Sequence, residues 1–212
     1  RKDDMTLGLV RKLENFIGNI SKRVERGEEY ETYKPIIEMI CRAYNPGWLI
    51  VARWHMEQRT KSGYDLAKEE LRRFLENETD ALLASEAWRL LGHSCYQTHD
   101  TLGEVHAFTE RAQLANIPFY DLSNTANKFN NFLSEGGLEI DREQKRDLAT
   151  RILQIMDQRI EEAGGDDLSR MAWLAIRAER DIDARRYVEE GRNKYPENYH
   201  LVRLAQRLGI SS

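Results

Sequence analysis

Histidine and cysteine side chains gather in one short stretch of the sequence, and these residue types are frequent ligands of transition metals. His93 and Cys95 lie two residues apart, and His99 and His106 follow them. In a helix, residues two apart point about 200° away from each other, so His93 and Cys95 cannot bind one metal ion from the same helix. The other cysteine, Cys41, forms no CxxC or zinc-ligand spacing with Cys95. We therefore expect a buried cysteine, scattered surface histidines, and neither a metal nor a cofactor.

Pairs of neighbouring acidic residues are the second candidate for chemistry, because two carboxylates can act as general acid and general base. The pairs are Glu28-Glu29, Glu69-Glu70, Glu161-Glu162, Asp166-Asp167 and Glu189-Glu190. Each pair adjoins a predicted helix end or lies on a polar face, which is typical of solvated charge. No serine lies in a GxSxG turn, and the sequence contains no GxxxxGK[ST] phosphate-binding loop. We therefore expect that the chain is not an enzyme.

Charge and hydropathy limit the classes of protein to which the sequence can belong. The 212 residues are 32% charged and 41% hydrophobic, with a net charge of -4. Acidic and basic residues are interspersed, so no overall positive field recruits nucleic acid. The longest apolar run, Trp48 to Ala52, is too short to span a membrane, and the two cysteines suit a reducing cytoplasm. Because the chain begins with Arg1 and not with methionine, we interpret it as a fragment of a longer cytoplasmic protein.

Apolar residues recur every three to four residues along most of the sequence, which is the period of an amphipathic helix. Gly27 and the pair Gly136-Gly137 are predicted helix ends, and Pro35 is predicted in a first turn or at a kink. The predicted helical hairpins cover residues 7–45, 47–79, 81–118, 120–164 and 167–196, and a terminal helix covers 198–208. The sequence therefore predicts one all-α domain over residues 1–212, built either as an α-solenoid of antiparallel hairpins or as an irregular helical bundle.

The segment 165–198 carries the clearest repeat pattern, with small and apolar residues that recur along both of its predicted helices. These are Leu168, Met171, Ala172 and Ala175 in the first helix, and Ala184, Val188 and Gly191 in the second. Trp88, with Leu91, Gly92 and Cys95 after it, opens a second copy, and Trp48 opens a third. The pattern resembles the tetratricopeptide repeat, whose first helix begins W-x-x-L-G-x-x-Y, in a degenerate form. This resemblance implies stacked hairpins that hold a protein partner.

The resemblance also implies where that partner binds, because the first helix of each tetratricopeptide hairpin lines a concave groove. The implied groove residues are Leu49, Arg53, Met56, Arg89, His93, Tyr96, Trp173, Arg177, Arg203 and Arg207. Arginine and aromatic residues are typical interface anchors, and the mainly positive charge suits an acidic peptide or a carboxylate terminus. We therefore predict a non-catalytic scaffold, sensor or regulatory module that binds a protein or peptide.

Two other functions compete with this prediction. A nucleic-acid-binding solenoid requires the arginines to form one continuous basic stripe. A structural oligomerisation domain of a larger enzyme is the other, since the terminal helix has apolar residues on two sides and can contact a second copy. Trp54 is a further candidate for an exposed contact residue, unless it packs on the preceding hairpin.

Overall fold

The computed structural model describes residues 2–25, 29–135 and 140–210, and all regular secondary structure in these ranges is helical. This confirms the predicted all-α class. The Cα positions divide the chain into two compact units, residues 1–100 and 101–212. The predicted helix ends at Gly27 and at Gly136-Gly137 lie outside the described residues.

The first unit is built from helices that follow one another with short connections. They are α1 (Lys2–Glu25), a 3-10 helix (Tyr30–Thr32), α2 (Lys34–Ala43), α3 (Pro46–Glu57), α4 (Lys61–Glu76) and α5 (Ala81–Gln97). Pro35 lies in the first turn of α2, where its missing amide proton costs no hydrogen bond. Side chains cap two helix starts: Thr60 accepts a hydrogen bond from the amide of Gly63 at 3.0 Å, and Asp80 accepts two from the first turn of α5.

Helix α3 lies at the centre of the first unit, because it packs closely on α4 and also contacts α1 and α2. Most of its residues are buried, and these are Gly47, Trp48, Leu49, Val51, Ala52, Trp54 and His55. The end of α3 approaches the start of α4 so closely that only glycine fits at position 63. A Cβ atom on Gly63 would lie 2.5 Å from the carbonyl oxygen of His55.

The second unit continues in the same way with six described α-helices. They are α6 (Thr101–Leu114), α7 (Phe119–Ser134), α8 (Arg142–Asp157), α9 (Gly165–Arg177), α10 (Asp181–Lys194) and α11 (Tyr199–Leu208), with a 3-10 helix (Ile160–Glu162) before α9. Helices α9 and α10 form the closest pair of this unit, and α11 packs on both. Every predicted packing residue of the 165–198 repeat is buried, which confirms this part of the pattern. Gly191 permits the contact with α11, since a Cβ atom there would lie 2.7 Å from Leu201.

The same turn geometry recurs in both units at corresponding places. Arg59, His99 and Glu179 follow α3, α5 and α9, and their φ angles are 52°, 60° and 60°. After α5, the backbone amide of Asp100 donates a hydrogen bond to the carbonyl oxygen of Cys95 at 2.9 Å. After α9, the backbone amide of Arg180 donates to the carbonyl oxygen of Ala175 at 2.8 Å. These are left-handed C-terminal caps in which a residue other than glycine takes the glycine position.

Candidate functional site

The histidine and cysteine stretch does not assemble into a metal site in the described part of the chain. Cys95 is fully buried, as predicted, and burial raises the pKa of its thiol to about 12. His93 is exposed, and its ring meets the Tyr64 ring edge-on, with 5.9 Å between the ring centroids. Among the described helices, none is long and apolar enough to cross a membrane.

The implied groove residues of the first unit fall into two groups. Leu49 lies in the core with 5% of its surface exposed, because neighbouring helices cover most of α3, so it offers no open contact surface. Met56 is half-buried, whereas Arg53, Arg89, His93 and Tyr96 are exposed.

The two arginines of that exposed group are already paired with one carboxylate. Glu86 accepts hydrogen bonds from Arg89 at 2.7 and 2.8 Å and from Arg53 at 3.3 Å. The hydrogen bond from Arg89 is the main reason why the pKa of Glu86 lies below its ordinary value. An acidic ligand would have to compete with Glu86 for both guanidinium groups.

The implied groove residues of the second unit are arranged differently, around a half-buried tryptophan. The guanidinium carbons of Arg177 and Arg207 lie 5.5 and 4.7 Å from the centroid of the Trp173 ring. One turn before Arg207 on α11, Arg203 lies over the ring of Tyr199 at 5.5 Å. We call the four residues Trp173, Arg177, Arg203 and Arg207 the α9–α11 arginine surface.

Arg177 has an unusual environment for an arginine. Its Nη2 donates to Ser134 Oγ at 3.3 Å, and its Nε is buried with no hydrogen-bond acceptor among the described residues. Burial lowers the pKa of Arg177, and the positive charge of Arg207 lowers it further. In contrast, hydrogen bonds to Glu86 and Glu179 raise the pKa of Arg89 and Arg142.

Neither Arg177 nor Arg207 lies within 4.0 Å of a carboxylate among the described residues. Two guanidinium groups near one indole repel each other, and each cation–π contact offsets only about 0.5–1 kcal/mol at an exposed site. A carboxylate that contacts both groups would offset the repulsion through charge-assisted hydrogen bonds. The α9–α11 arginine surface therefore has the composition of an anion site.

The structure also contains a buried polar cluster in the first unit that sequence reasoning missed. His55 is 0% exposed, and neither of its ring nitrogens has a hydrogen-bond partner in the described part of the chain. Tyr30 packs against it with the ring edge, at 4.8 Å between centroids, and the buried hydroxyl of Tyr30 is also unpartnered there. Trp54 completes the cluster, with 8% exposure, so it packs on the preceding elements. Burial lowers the pKa of His55 to about 4.

Glu70 lies next to this cluster and is only 1% exposed, although the Glu69-Glu70 pair was expected on a polar face. Its carboxylate is 3.3 Å from Arg73, which also binds Glu38 at 3.1 Å. Burial and the charge of Glu38 outweigh the attraction of Arg73, and the pKa of Glu70 is raised to about 7. The sequence did contain a signal, because position 70 falls on the stripe of α4 that also carries Ala67 and Phe74.

Comparison with known proteins finds a weak likeness to one solved structure and no matching family model. No protein-family model matches the sequence, and none of the curated proteins matches it. Among solved structures, the chain is similar to the crystal structure of PilW, described as a widely conserved type IV pilus biogenesis factor. The two are 16% identical, with 90% of this chain and 97% of that chain covered, and the TM-score is 0.29. A likeness of this degree carries no argument about function.

Proposed function

We propose that the chain is a non-catalytic protein-interaction module, acting as a scaffold or sensor, and that its α9–α11 arginine surface binds an acidic segment of a partner protein. The observation that carries the proposal is that Arg177 and Arg207 both lie near the Trp173 ring and have no carboxylate within 4.0 Å among the described residues. The tryptophan adds apolar contact area next to the charges, and this combination is typical of interface hot spots.

The first unit is the weaker place for such a ligand. Arg53 and Arg89 share Glu86, and an incoming carboxylate gains little by exchanging one partner for another. We therefore assign the acidic-peptide site to the second unit. The tetratricopeptide resemblance, and with it a single groove that runs through both units, stays a prediction.

Nucleic-acid binding is less well supported by the arginines. Of the neighbouring basic pair on α10, Arg186 is bound to Asp157 at 2.9 Å, and Arg73 on α4 is held by Glu38 and Glu70. A phosphate backbone needs a continuous row of unpaired cations, and the intervening acids interrupt it. A single-stranded oligonucleotide is therefore the competitor that distinguishes nucleic-acid binding from acidic-peptide binding.

The test measures fluorescence anisotropy of a labelled peptide with four consecutive glutamates and a free carboxyl terminus. Charge reversal at both arginines, Arg177→Glu with Arg207→Glu, should weaken binding at least about tenfold, because a hydrogen bond to a charged group contributes about 1.5–3 kcal/mol. Arg185→Glu is the control for one charge reversal, since Arg185 is an exposed arginine of α10 and its charge changes by the same amount as that of Arg177 or Arg207 alone. Circular dichroism should show unchanged helix content in all variants.

Three results would contradict the proposal. Equal affinity of the double variant and the wild type would exclude the α9–α11 arginine surface. A serine peptide that binds as well as the glutamate peptide would exclude charge recognition. A single-stranded oligonucleotide that displaces the peptide and itself binds with a steep salt dependence would favour the nucleic-acid alternative. Sedimentation of the free chain separates these outcomes from simple self-association.

A further inference from the structure

Helices α6 and α7 border a cavity of about 260 Å³ in the second unit, away from the α9–α11 arginine surface in sequence. Its apolar wall consists of Val105, Phe108 and Ile117. Val105 and Ile117 are 1% and 3% exposed, so they belong to the core and hold the wall in place. Asp121 and Asn124 also line this cavity. The cavity is therefore a preformed apolar recess with polar groups beside it.

A second cavity of about 370 Å³ adjoins the first, because Asn124 and Lys128 line both. The second cavity continues along α7 past Asn127 and Asn131 to Glu135. We call the two cavities together the α6–α7 groove. The groove thus has an apolar recess at one end and a polar channel at the other.

Three asparagines line the groove, and their side chains are free to bind a ligand. Asn124, Asn127 and Asn131 have no side-chain hydrogen bond to another described residue, and their spacing of three and four places them on one face of α7. Asn130, on another face of the same helix, donates to the carbonyl oxygen of Arg170 at 3.2 Å. An asparagine amide offers one acceptor and two donors, which match the C=O and N–H groups of a peptide bond.

The length of the asparagine row fits a short stretch of extended chain. A helix rises about 1.5 Å per residue, so the row from Asn124 to Asn131 spans roughly 10 Å. An extended chain rises about 3.3 Å per residue, so about three residues lie along the row. The apolar recess begins at Asn124, where a side chain of such a segment can enter it.

The charges of the groove favour a basic segment. Lys128 Nζ lies 2.6 Å from Glu104 Oε1, so these two charges neutralise each other. Asp121 and Glu135 line the groove without an ion pair among the described residues. The remaining charge is negative at both ends of the asparagine row, which attracts lysine or arginine.

We infer that the α6–α7 groove binds an extended segment of a protein that inserts one bulky apolar side chain between Val105, Phe108 and Ile117 and carries a basic residue next to it. The apolar recess of about 260 Å³ has room for one bulky apolar side chain, and the rest of the segment lies along the polar channel. The charge preference is opposite to that of the α9–α11 arginine surface. A negative binding result at one of the two surfaces therefore does not contradict the proposal for the other.

The experiment uses the full chain and a capped heptapeptide with a central phenylalanine between two lysines, in a glycine and serine context. Binding is followed by the backbone and asparagine side-chain amide signals in nitrogen–proton NMR spectra, up to millimolar peptide. The expected shifts fall on residues 101–135, including the side-chain amides of Asn124 and Asn131. Replacing the central phenylalanine by alanine should weaken binding at least about tenfold, since its apolar surface is then left in water.

Protein variants test the polar part of the site. Asn124→Ala with Asn131→Ala should weaken binding about tenfold, the loss expected for two hydrogen bonds. Asn193→Ala is the matched control, because Asn193 is an exposed asparagine of α10 outside the groove. Asp121→Lys should weaken binding of the lysine peptide and strengthen binding of a peptide with glutamates in place of the lysines.

Shifts confined to the groove, with losses for the alanine peptide and for the double asparagine variant, support the inference. The inference is overturned if no peptide of this set shifts any signal, if the shifts map outside residues 101–135, or if the glutamate peptide binds the wild type more tightly than the lysine peptide.

Discussion

Two buried titratable side chains, His55 and Glu70, predict an unusual pH dependence of the stability of the first unit. The pKa of His55 is lowered from an ordinary value of 6.5 to about 4, and that of Glu70 is raised from 4.5 to about 7. Each difference corresponds to roughly 3 kcal/mol of stability, because one pKa unit is about 1.36 kcal/mol. The two groups act in opposite directions.

The direction in which stability changes with pH depends on whether the folded or the unfolded state binds the proton more tightly. As the pH falls from 6.5 to 4, unfolded His55 takes up a proton while the folded residue stays neutral, so folded protein loses stability on acidification. As the pH rises from 4.5 to 7, unfolded Glu70 releases its proton while the folded residue keeps it, so folded protein loses stability on alkalinisation. Between pH 4.5 and 6.5 the two contributions cancel in the wild-type chain.

Two single substitutions should remove that balance. In His55→Phe, unfolding free energy should fall with rising pH by about 1.4 kcal/mol per pH unit relative to the wild type, and in Glu70→Gln it should rise by the same amount. His55→Phe should also be at least as stable as the wild type near pH 5, because two unpartnered ring nitrogens are removed.

The measurement is urea unfolding followed by tryptophan fluorescence, in a Trp173→Phe background. The chain has four tryptophans, and the three that remain all lie in the first unit, so the signal reports on that unit. Glu69→Gln is the control, since Glu69 is the exposed neighbour of Glu70. The comparison uses differences from the wild type, because contributions common to all variants cancel in these differences. Parallel stability curves for all variants would refute the reasoning.

Two further predictions concern packing and thiol reactivity. Gly191→Ala should destabilise the chain by about 1–3 kcal/mol in thermal unfolding, because the new methyl group would overlap Leu201, whereas Gly18→Ala on the open face of α1 should stabilise it by about 0.5–1 kcal/mol. Cys41 and Cys95 should not react with a thiol reagent at pH 8 until urea unfolds the protein. The reason is that both thiols are buried, and burial raises their pKa to about 12. Rapid labelling of the folded chain would contradict this prediction.

The periodicity of the sequence predicted the helical class and the packing of its clearest repeat. Leu168, Met171, Ala172, Ala184 and Val188 are all buried, at 0–1% exposure. This success has a simple cause, since a helix that must bury one face repeats apolar residues at the helical period. The number of hairpins and the single domain stay predictions.

The pairing of the arginines was not predictable from the sequence. Arg53 and its partner Glu86 are 33 residues apart, and no local pattern distinguishes this arginine from Arg177, which has no acidic partner among the described residues. The burial of Glu70 was in principle predictable, because its position on the α4 stripe is visible in the sequence. The sequence instead predicted Glu70 on a polar face, because two adjacent acidic residues, Glu69 and Glu70, are typical of an exposed surface.

Substitution of the left-handed turn residues Arg59, His99 and Glu179 should increase the stability of the chain. A residue other than glycine in this conformation costs about 1–2 kcal/mol, and Gly209 already occupies the same geometry after α11 without that cost. Glycine at each of the three turns should therefore raise the unfolding free energy by up to about 1 kcal/mol, less the small surface ion pair of Glu179 with Arg142. Among the residues that the structure describes, the three turns share no side-chain partner, so the gains should add. None of the three residues belongs to either proposed binding surface, so glycine at these positions should raise the thermal stability of the chain and leave both surfaces unchanged.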